Sequence, residues 1–214
     1  MSYANKEFRS LMILISRTTT MCAYLMIVMA VPLAINADFV LSIWLKEVPP
    51  HTVLFLQLIL IDGVINAVSN PTILAIVASG HIKYYQIAEF ILRVVTLPIC
   101  YFVLCIIDEP EVTVIVSIAL SICSYIMRAY MLKRELAIFD FAKYLLLSFK
   151  IICVAFAAYI FTKALSVLIS NQLLCFISTC TISVVVITCL VFYGVMPSED
   201  RFAVVSMIKK KLGK

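Results

Sequence analysis

Six long apolar segments, separated by short polar turns, follow one another along the chain. Each is at least about 17 residues long, which is enough for a helix to cross the hydrocarbon core of a bilayer. Polar and apolar positions do not alternate within them, as the strands of a membrane barrel would require. The pattern therefore predicts an all-α polytopic membrane protein with six transmembrane helices. The predicted spans are residues 21–37, 52–79, 82–107, 112–132, 144–168 and 173–195.

Three shorter segments flank these spans. Residues 1–20 begin with polar residues, and we predict that they follow the membrane interface before the first span. After that span, Asp38 is the predicted N-cap of a short amphipathic segment that ends at Trp44. The transmembrane bundle covers residues 1–197, and residues 198–214 are too polar to enter the membrane and form a basic cytoplasmic tail.

The composition supports the same class. Hydrophobic residues make up 64% of the chain and charged residues 14%, against roughly 45–50% and about 25% in soluble domains. The basic residues behind the net charge of +5 lie in short loops between apolar segments. At such positions they reflect the orientation of a protein in the membrane, so we expect no nucleic-acid binding. All eight cysteines lie within apolar segments without metal-ligand spacing, and we expect them to be small buried hydrophobic residues.

Basic residues predict the orientation of the chain. With both termini in the cytoplasm, the outer loops hold only Lys46 and Lys163, and the inner segments hold thirteen of the 17 basic residues. The acidic turn at residues 108–111 then lies outside, and the asymmetry fits the positive-inside rule. The thirteen inner residues are Lys6, Arg9, Arg17, Lys83, Arg128, Lys133, Arg134, Lys143, Arg201, Lys209, Lys210, Lys211 and Lys214.

Polar residues recur at helical spacing on one face of the second, third and fourth spans. Lipid offers no hydrogen-bond partner, so these faces must turn toward other helices or toward water. On the fourth span the face consists of three serines followed by an arginine. The candidate residues of a polar cavity are Asp62, Asn66, Asn70, Lys83, Glu89, Arg93 and Arg128.

Two interpretations of these polar faces remain open. Glu89 and Arg93 stand four residues apart and would neutralise each other on one helix, and serines often serve close helix packing. Against this, inserting an ionisable side chain into the membrane costs roughly 2.5–3.5 kcal/mol on translocon scales. Several such side chains would therefore add little stability to a bundle in which they served only for packing. We favour packing for the serines and a hydrated cavity for Asp62, Asn66, Glu89 and Arg93.

The residues of a catalytic site are missing from the pattern. His51 and His81 lie at membrane boundaries without an acidic or cysteine partner at ligand spacing, so neither predicts a metal site. No Ser/His/Asp set, glycine-rich phosphate loop or carboxylate pair in an aqueous domain is found in the sequence. We therefore expect a transport protein without enzyme activity, metal or cofactor.

Several stretches of the chain resemble one family of transporters. They are SIWLKEVPPHTVLFLQLILID (residues 42–62), NAVSNPTILAIVASGHIKYYQI (66–87), LPICYFVL (97–104) with the following EPE turn, and the Arg-Ala-Tyr and LKR of residues 128–134. Together they are similar to the C-terminal part of bacterial O-antigen and polysaccharide flippases, in the multidrug/oligosaccharidyl-lipid/polysaccharide exporter superfamily. The chain departs from the family pattern at Pro50, His51 and His81.

This resemblance implies a fold, a location and an activity. It implies the C-terminal lobe of a MATE-like two-lobe transporter of the bacterial inner membrane, in which alternating access turns a polyprenyl-diphosphate-linked sugar repeat unit toward the periplasm. The chain has six spans where the family has twelve to fourteen, so we expect a truncated or split reading frame. The implied partners are the lipid-linked oligosaccharide, membrane lipids, and an N-terminal transporter half or a second copy.

Roles for the polar residues follow as hypotheses. Arg93, with Arg128 and Lys83 nearer the cytoplasm, would supply positive potential for a diphosphate, and Asp62 and Glu89 would couple transport to protons or sodium. Three alternatives remain: a drug or small-solute exporter lobe, a non-catalytic membrane subunit of a polysaccharide synthesis complex, and a glycan polymerase or acyltransferase. The last is disfavoured because the sequence pattern shows neither a large outer loop nor a His and acid pair.

Overall fold

The computed structural model describes residues 2–45, 47–78, 82–107, 109–135, 139–167, 169, 171–195 and 201. Lys46, His81 and almost all of the basic tail lie outside these residues. Within them all regular structure is helical, as the sequence predicts. The helices are α1 (Ser2–Ile35), α2 (Ala37–Trp44), α3 (Thr52–Ala78), α4 (Ile82–Ile106), α5 (Val112–Glu135), α6 (Phe141–Ser166) and α7 (Gln172–Gly194).

Six of the helices are long and apolar enough to cross a membrane, so the described chain has the form of a multi-pass membrane protein. The candidate spans are Ser10–Ile35, Thr52–Val77, Ile82–Ile106, Val112–Arg134, Phe141–Ser166 and Gln172–Gly194.

The first 45 residues differ from the sequence prediction in two respects. The interfacial segment and the first span form a single continuous helix, α1, because no helix-breaking residue separates them before Pro32. The short amphipathic helix α2 ends at Trp44 as predicted, but it begins at Ala37. Asn36 occupies its N-cap position, and Asp38 lies in the first turn, where its charge favours the helix dipole.

The helices α1 and α3 lie at the centre of the bundle. The helix α1 contacts α3, α6 and α7, α3 also contacts α5, and α6 contacts both α7 and α5. Hydrogen bonds from Tyr144 of α6 to the Val68 carbonyl of α3, and from Tyr125 of α5 to Ser148 of α6, close the bundle. The helix α4 packs mainly on α5 at the edge, and among its described residues only Tyr85 is buried. Most of the surface of α4 is left for lipid or for another protein.

Successive spans run in opposite directions, which brings several helix ends together. We call the end where α3 and α5 finish and α4 begins the Lys83 end, and the opposite end the His51 end. Two buried clusters hold the bundle. One lies toward the Lys83 end and includes Ile76, Tyr85 and Leu132. The other lies between α1, α3, α6 and α7 and includes Ile27 and Ile187.

The cysteines are not buried as expected. All eight are free thiols. Four are exposed on the bundle surface and four are partly buried; the exposed ones are Cys105, Cys123, Cys153 and Cys189. The prediction was wrong because lipid is as apolar as a protein core, so hydrophobic character alone does not separate inward from outward positions in a membrane helix.

Candidate functional site

An ion pair between Glu89 of α4 and Arg128 of α5 forms the centre of the candidate site. Arg128 Nη2 donates to Glu89 Oε1 over 2.8 Å, and Arg128 is only 3% exposed. Glu89 lies seven residues after the start of α4, and Arg128 lies seven residues before the end of α5. The rise of an α-helix then places both about 10 Å from the Lys83 end, within the apolar part of the spans.

Three further side chains surround this ion pair. Arg128 Nη1 donates to Ser69 Oγ of α3 over 2.9 Å, and Ser124 Oγ donates to Glu89 Oε2 over 2.7 Å. The Tyr85 ring lies 5.8 Å from Arg128 Cζ, within range of a cation–π interaction. We call these five residues the Glu89–Arg128 cluster. Arg128 Nε is buried and has no hydrogen-bond partner in the part of the chain that the structure describes.

A second arginine, Arg93, reaches the cluster from outside. Its Nη2 and Nε atoms donate to Glu89 Oε1 over 3.2 and 3.3 Å, and its side chain is 70% exposed. The pairing of Glu89 with Arg93 that the sequence predicts is therefore present, but Arg128 makes the shorter and more buried contact. One carboxylate faces two guanidinium groups, which leaves one positive charge in excess.

Asp62 and Asn66 form a separate polar pair within α3. Asn66 Nδ2 donates to Asp62 Oδ2 over 2.9 Å and to the Asp62 carbonyl over 3.0 Å. Asp62 Oδ1 is buried and lacks a hydrogen-bond partner among the described residues. Asp62 lies seven residues before Ser69 on α3, hence about 10 Å farther toward the His51 end. None of the hydrogen bonds described for this pair reaches the Glu89–Arg128 cluster.

The two remaining candidate residues lie on the surface. Asn70 is exposed beside the buried Ser69 on α3. Lys83 is also exposed, in the first turn of α4. The structure thus brings Glu89, Arg93 and Arg128 together, keeps Asp62 and Asn66 as a pair of their own, and places Asn70 and Lys83 outside both groups.

Sequence reasoning missed one member of the cluster and one contact elsewhere. Tyr85 was not singled out, although it stands four residues before Glu89 and so shares its helical face. His51 does have an acidic partner in the fold, since its Nδ1 atom pairs with Glu111 Oε1 from the turn before α5. The prediction considered partners at short sequence spacing, and these two residues are separated by 60 positions.

The contact between His51 and Glu111 joins two turns at the His51 end. Glu111 precedes α5, and its carbonyl accepts from the backbone N–H groups of Val114 and Ile115. A hydrogen bond from the residue's own backbone N–H lowers the pKa of the Glu111 carboxyl below its usual value, and the contact with His51 lowers it further. Burial acts in the opposite direction without outweighing them. His51 adopts φ 71°, a left-handed conformation that is uncommon for a residue other than glycine.

The chain was compared with protein families, curated proteins and solved structures. No family model, no curated protein and no solved structure matches it.

Proposed function

We propose that this protein translocates polyprenyl-diphosphate-linked oligosaccharide repeat units, of an O-antigen or a capsular polysaccharide, across the bacterial inner membrane by alternating access. In this proposal the six-span bundle is one lobe of the transporter, and a second lobe or a second copy of the chain supplies the facing wall. Both termini lie in the cytoplasm, so the Lys83 end is the inner end. The resemblance of residues 42–104 to polysaccharide flippases supports the choice of substrate.

The observation that supports the proposal best is the excess positive charge of the Glu89–Arg128 cluster. Glu89 neutralises one of two arginines, and Arg93 keeps a 70% exposed side chain at the twelfth position of the 25-residue helix α4. A charge at this depth is costly in lipid and is accordingly paired or turned toward an aqueous path. A diphosphate group that passes the cluster would supply the missing negative charge.

The polar pair on α3 supports a second element of the proposal. Asp62 Oδ1 is buried and has no partner among the described residues, while Oδ2 accepts from Asn66. A carboxylate in this environment gains from binding a proton or a small cation. We assign Asp62 to ion coupling, and we assign Glu89 to the same role only when Arg128 moves away from it during the transport cycle.

The charge distribution also bears on the alternatives. An exporter of cationic solutes gains nothing from an excess arginine in its wall, because the arginine repels cations. An exporter of neutral solutes gains nothing either, because a neutral solute that contacts the arginine removes water from its charge without neutralising it. A structural subunit of a synthesis complex needs no unsatisfied carboxylate inside the membrane. Both functions are therefore less well supported than the flippase, and deletion of the gene distinguishes the three.

Deleting the gene in its bacterial host tests the proposal. We expect loss of surface polysaccharide together with accumulation of lipid-linked repeat units on the cytoplasmic side, both restored by the wild-type chain. R93Q should restore export poorly, and K163Q, which changes an exposed lysine at the His51 end, should restore it fully. Normal surface polysaccharide in the deletion, or its loss without accumulation of lipid-linked units, would overturn the proposal.

A further inference from the structure

An open cavity of about 720 Å³ lies along the first two turns of α4 at the Lys83 end. The described residues that line it are Ile82, Lys83, Gln86, Ile87 and Phe90. None of them belongs to the Glu89–Arg128 cluster, although Gln86 lies within about 60° of Glu89 around the helix axis. A lipid site in this cavity does not depend on the proposed transport function.

The polar part of the cavity lies at the level of the membrane boundary. Lys83 is the second residue of α4, and side chains on a helix tilt toward its N-terminus, so the Lys83 ammonium extends outward to the headgroup region. Gln86 follows almost one turn later and is also exposed. Both side chains present N–H donors, and no acidic side chain among the described residues pairs with Lys83.

The deeper part of the cavity is apolar. Ile87 is 48% exposed and Phe90 is 68% exposed, and they lie about 6 and 10 Å beyond Lys83 along the helix. Within the span, such side chains meet hydrocarbon and not water. A ligand that fits both parts has an anionic head at the boundary and an alkyl chain that enters the bilayer.

Other lysines near the ends of spans have partners within the chain. Lys143 Nζ lies 3.1 Å from Asp140 Oδ2, Lys133 lies 5.9 Å from the centre of the Phe141 ring, and Lys163 lies 5.6 Å from the centre of the Tyr159 ring. Lys83 differs from them because it lies beside a cavity that also contains the Gln86 amide and the exposed apolar side chains of Ile87 and Phe90. A headgroup phosphate would complete this arrangement.

We propose that the cavity binds an anionic phospholipid of the surrounding bilayer. The lipid phosphate accepts hydrogen bonds from Lys83 Nζ and the Gln86 amide, and one acyl chain packs along Ile87 and Phe90. The occupant is a lipid and not free phosphate, because most of the lining is apolar and lies within a membrane span. It is anionic because Lys83 gives the headgroup region of the cavity a positive charge that no described acidic side chain neutralises.

Native mass spectrometry of the full chain tests this proposal. The chain is purified in detergent and mixed with equal amounts of phosphatidylglycerol and phosphatidylcholine of the same chain length. We expect retained phosphatidylglycerol to exceed phosphatidylcholine, and K83Q to reduce this preference about fivefold, the effect of one lysine beside an anionic lipid. The matched control K163Q should keep the preference of the wild type.

Two more measurements separate headgroup binding from other causes. F90A removes an exposed ring and should lower the retention of both lipids alike, while the helical circular dichroism stays unchanged. Excess inorganic phosphate should not displace phosphatidylglycerol, because phosphate cannot occupy the apolar part. Unchanged lipid preference in K83Q, an equal loss in K163Q, or displacement by inorganic phosphate would overturn the proposal.

Discussion

Arg128 Nη2 and Glu89 Oε1 lie 2.8 Å apart and join α5 to α4 inside the apolar part of the bundle. Arg128 also donates to Ser69 of α3, so one guanidinium group holds three helices. Little else of α4 is buried. Because lipid offers neither charge nor hydrogen bonds, the partners in this ion pair depend on each other more than partners at a water-exposed surface would.

Breaking the ion pair from the acidic side should be costly. E89Q leaves Arg128 buried without a counter-ion, and we expect the free energy of unfolding to fall by about 3 kcal/mol. Unfolding of the purified chain in detergent micelles, followed by circular dichroism, gives this value. The double variant E89Q/R128M should recover much of the loss, and a coupling energy below about 0.5 kcal/mol would show that the two residues act independently.

Arg93 should matter much less for stability. Its side chain is 70% exposed, and in R93Q Glu89 keeps its bonds to Arg128 and Ser124. We expect a change of less than about 1 kcal/mol in the same unfolding measurement. If R93Q destabilised the chain as strongly as E89Q, Arg93 and not Arg128 would be the principal partner of Glu89. A small effect allows R93Q to report on transport without loss of the fold.

The Glu111 carboxyl should make stability depend on pH in the acidic range. Its pKa is lower in the folded chain than in the unfolded chain, through its own backbone N–H and His51. The resulting stabilisation is present above the unfolded value of roughly 4.3 and is lost as the pH falls through the folded value. We expect the melting temperature of the wild type to exceed that of E111Q at pH 6, and the difference to shrink as the pH falls below about 4. A difference that stays constant over this range would contradict the assignment.

The hydrogen bond between Asn36, the N-cap residue of α2, and Thr179 of α7 should contribute a smaller amount. Asn36 Nδ2 donates to Thr179 Oγ1 over 2.7 Å in a buried position. T179V keeps the shape and removes the acceptor, and we expect a loss of about 0.6 kcal/mol, the average for bonds between membrane helices. T181V is the matched control, because Thr181 is exposed and its described hydrogen bonds go to carbonyls of its own helix. An equal loss in both variants would remove the interhelical bond as the cause.

Orientation can be measured apart from function. Fusions of a reporter that is active only in the cytoplasm to residue 1 and to residue 214 should both be active, as the distribution of basic residues predicts. A reporter inserted after Glu109, in the turn between α4 and α5, should be inactive. Activity at that turn would invert the predicted topology and place the Lys83 end outside.

Hydrophobic length alone determined most of the fold. The six spans, the short helix that ends at Trp44 and the turns around residues 50 and 110 follow from where apolar segments stop, because a helix that crosses lipid needs a long apolar stretch. Helical spacing also placed Glu89, Arg93 and Arg128 on polar faces. The sequence could not show which charges meet across helices, since spacing along one helix does not reveal what lies opposite it.

Tertiary packing decided the remaining relationships. Because of this packing, Arg128 and not Arg93 is the buried partner of Glu89. His51 contacts Glu111, which is 60 positions away in the sequence, and Lys83 lies beside an open cavity. The packing also left four of the cysteines exposed and the other four only partly buried. In a membrane protein the core and the lipid are equally apolar, so hydrophobicity determines which segments cross the bilayer, and only helix–helix contacts determine which way each side chain faces.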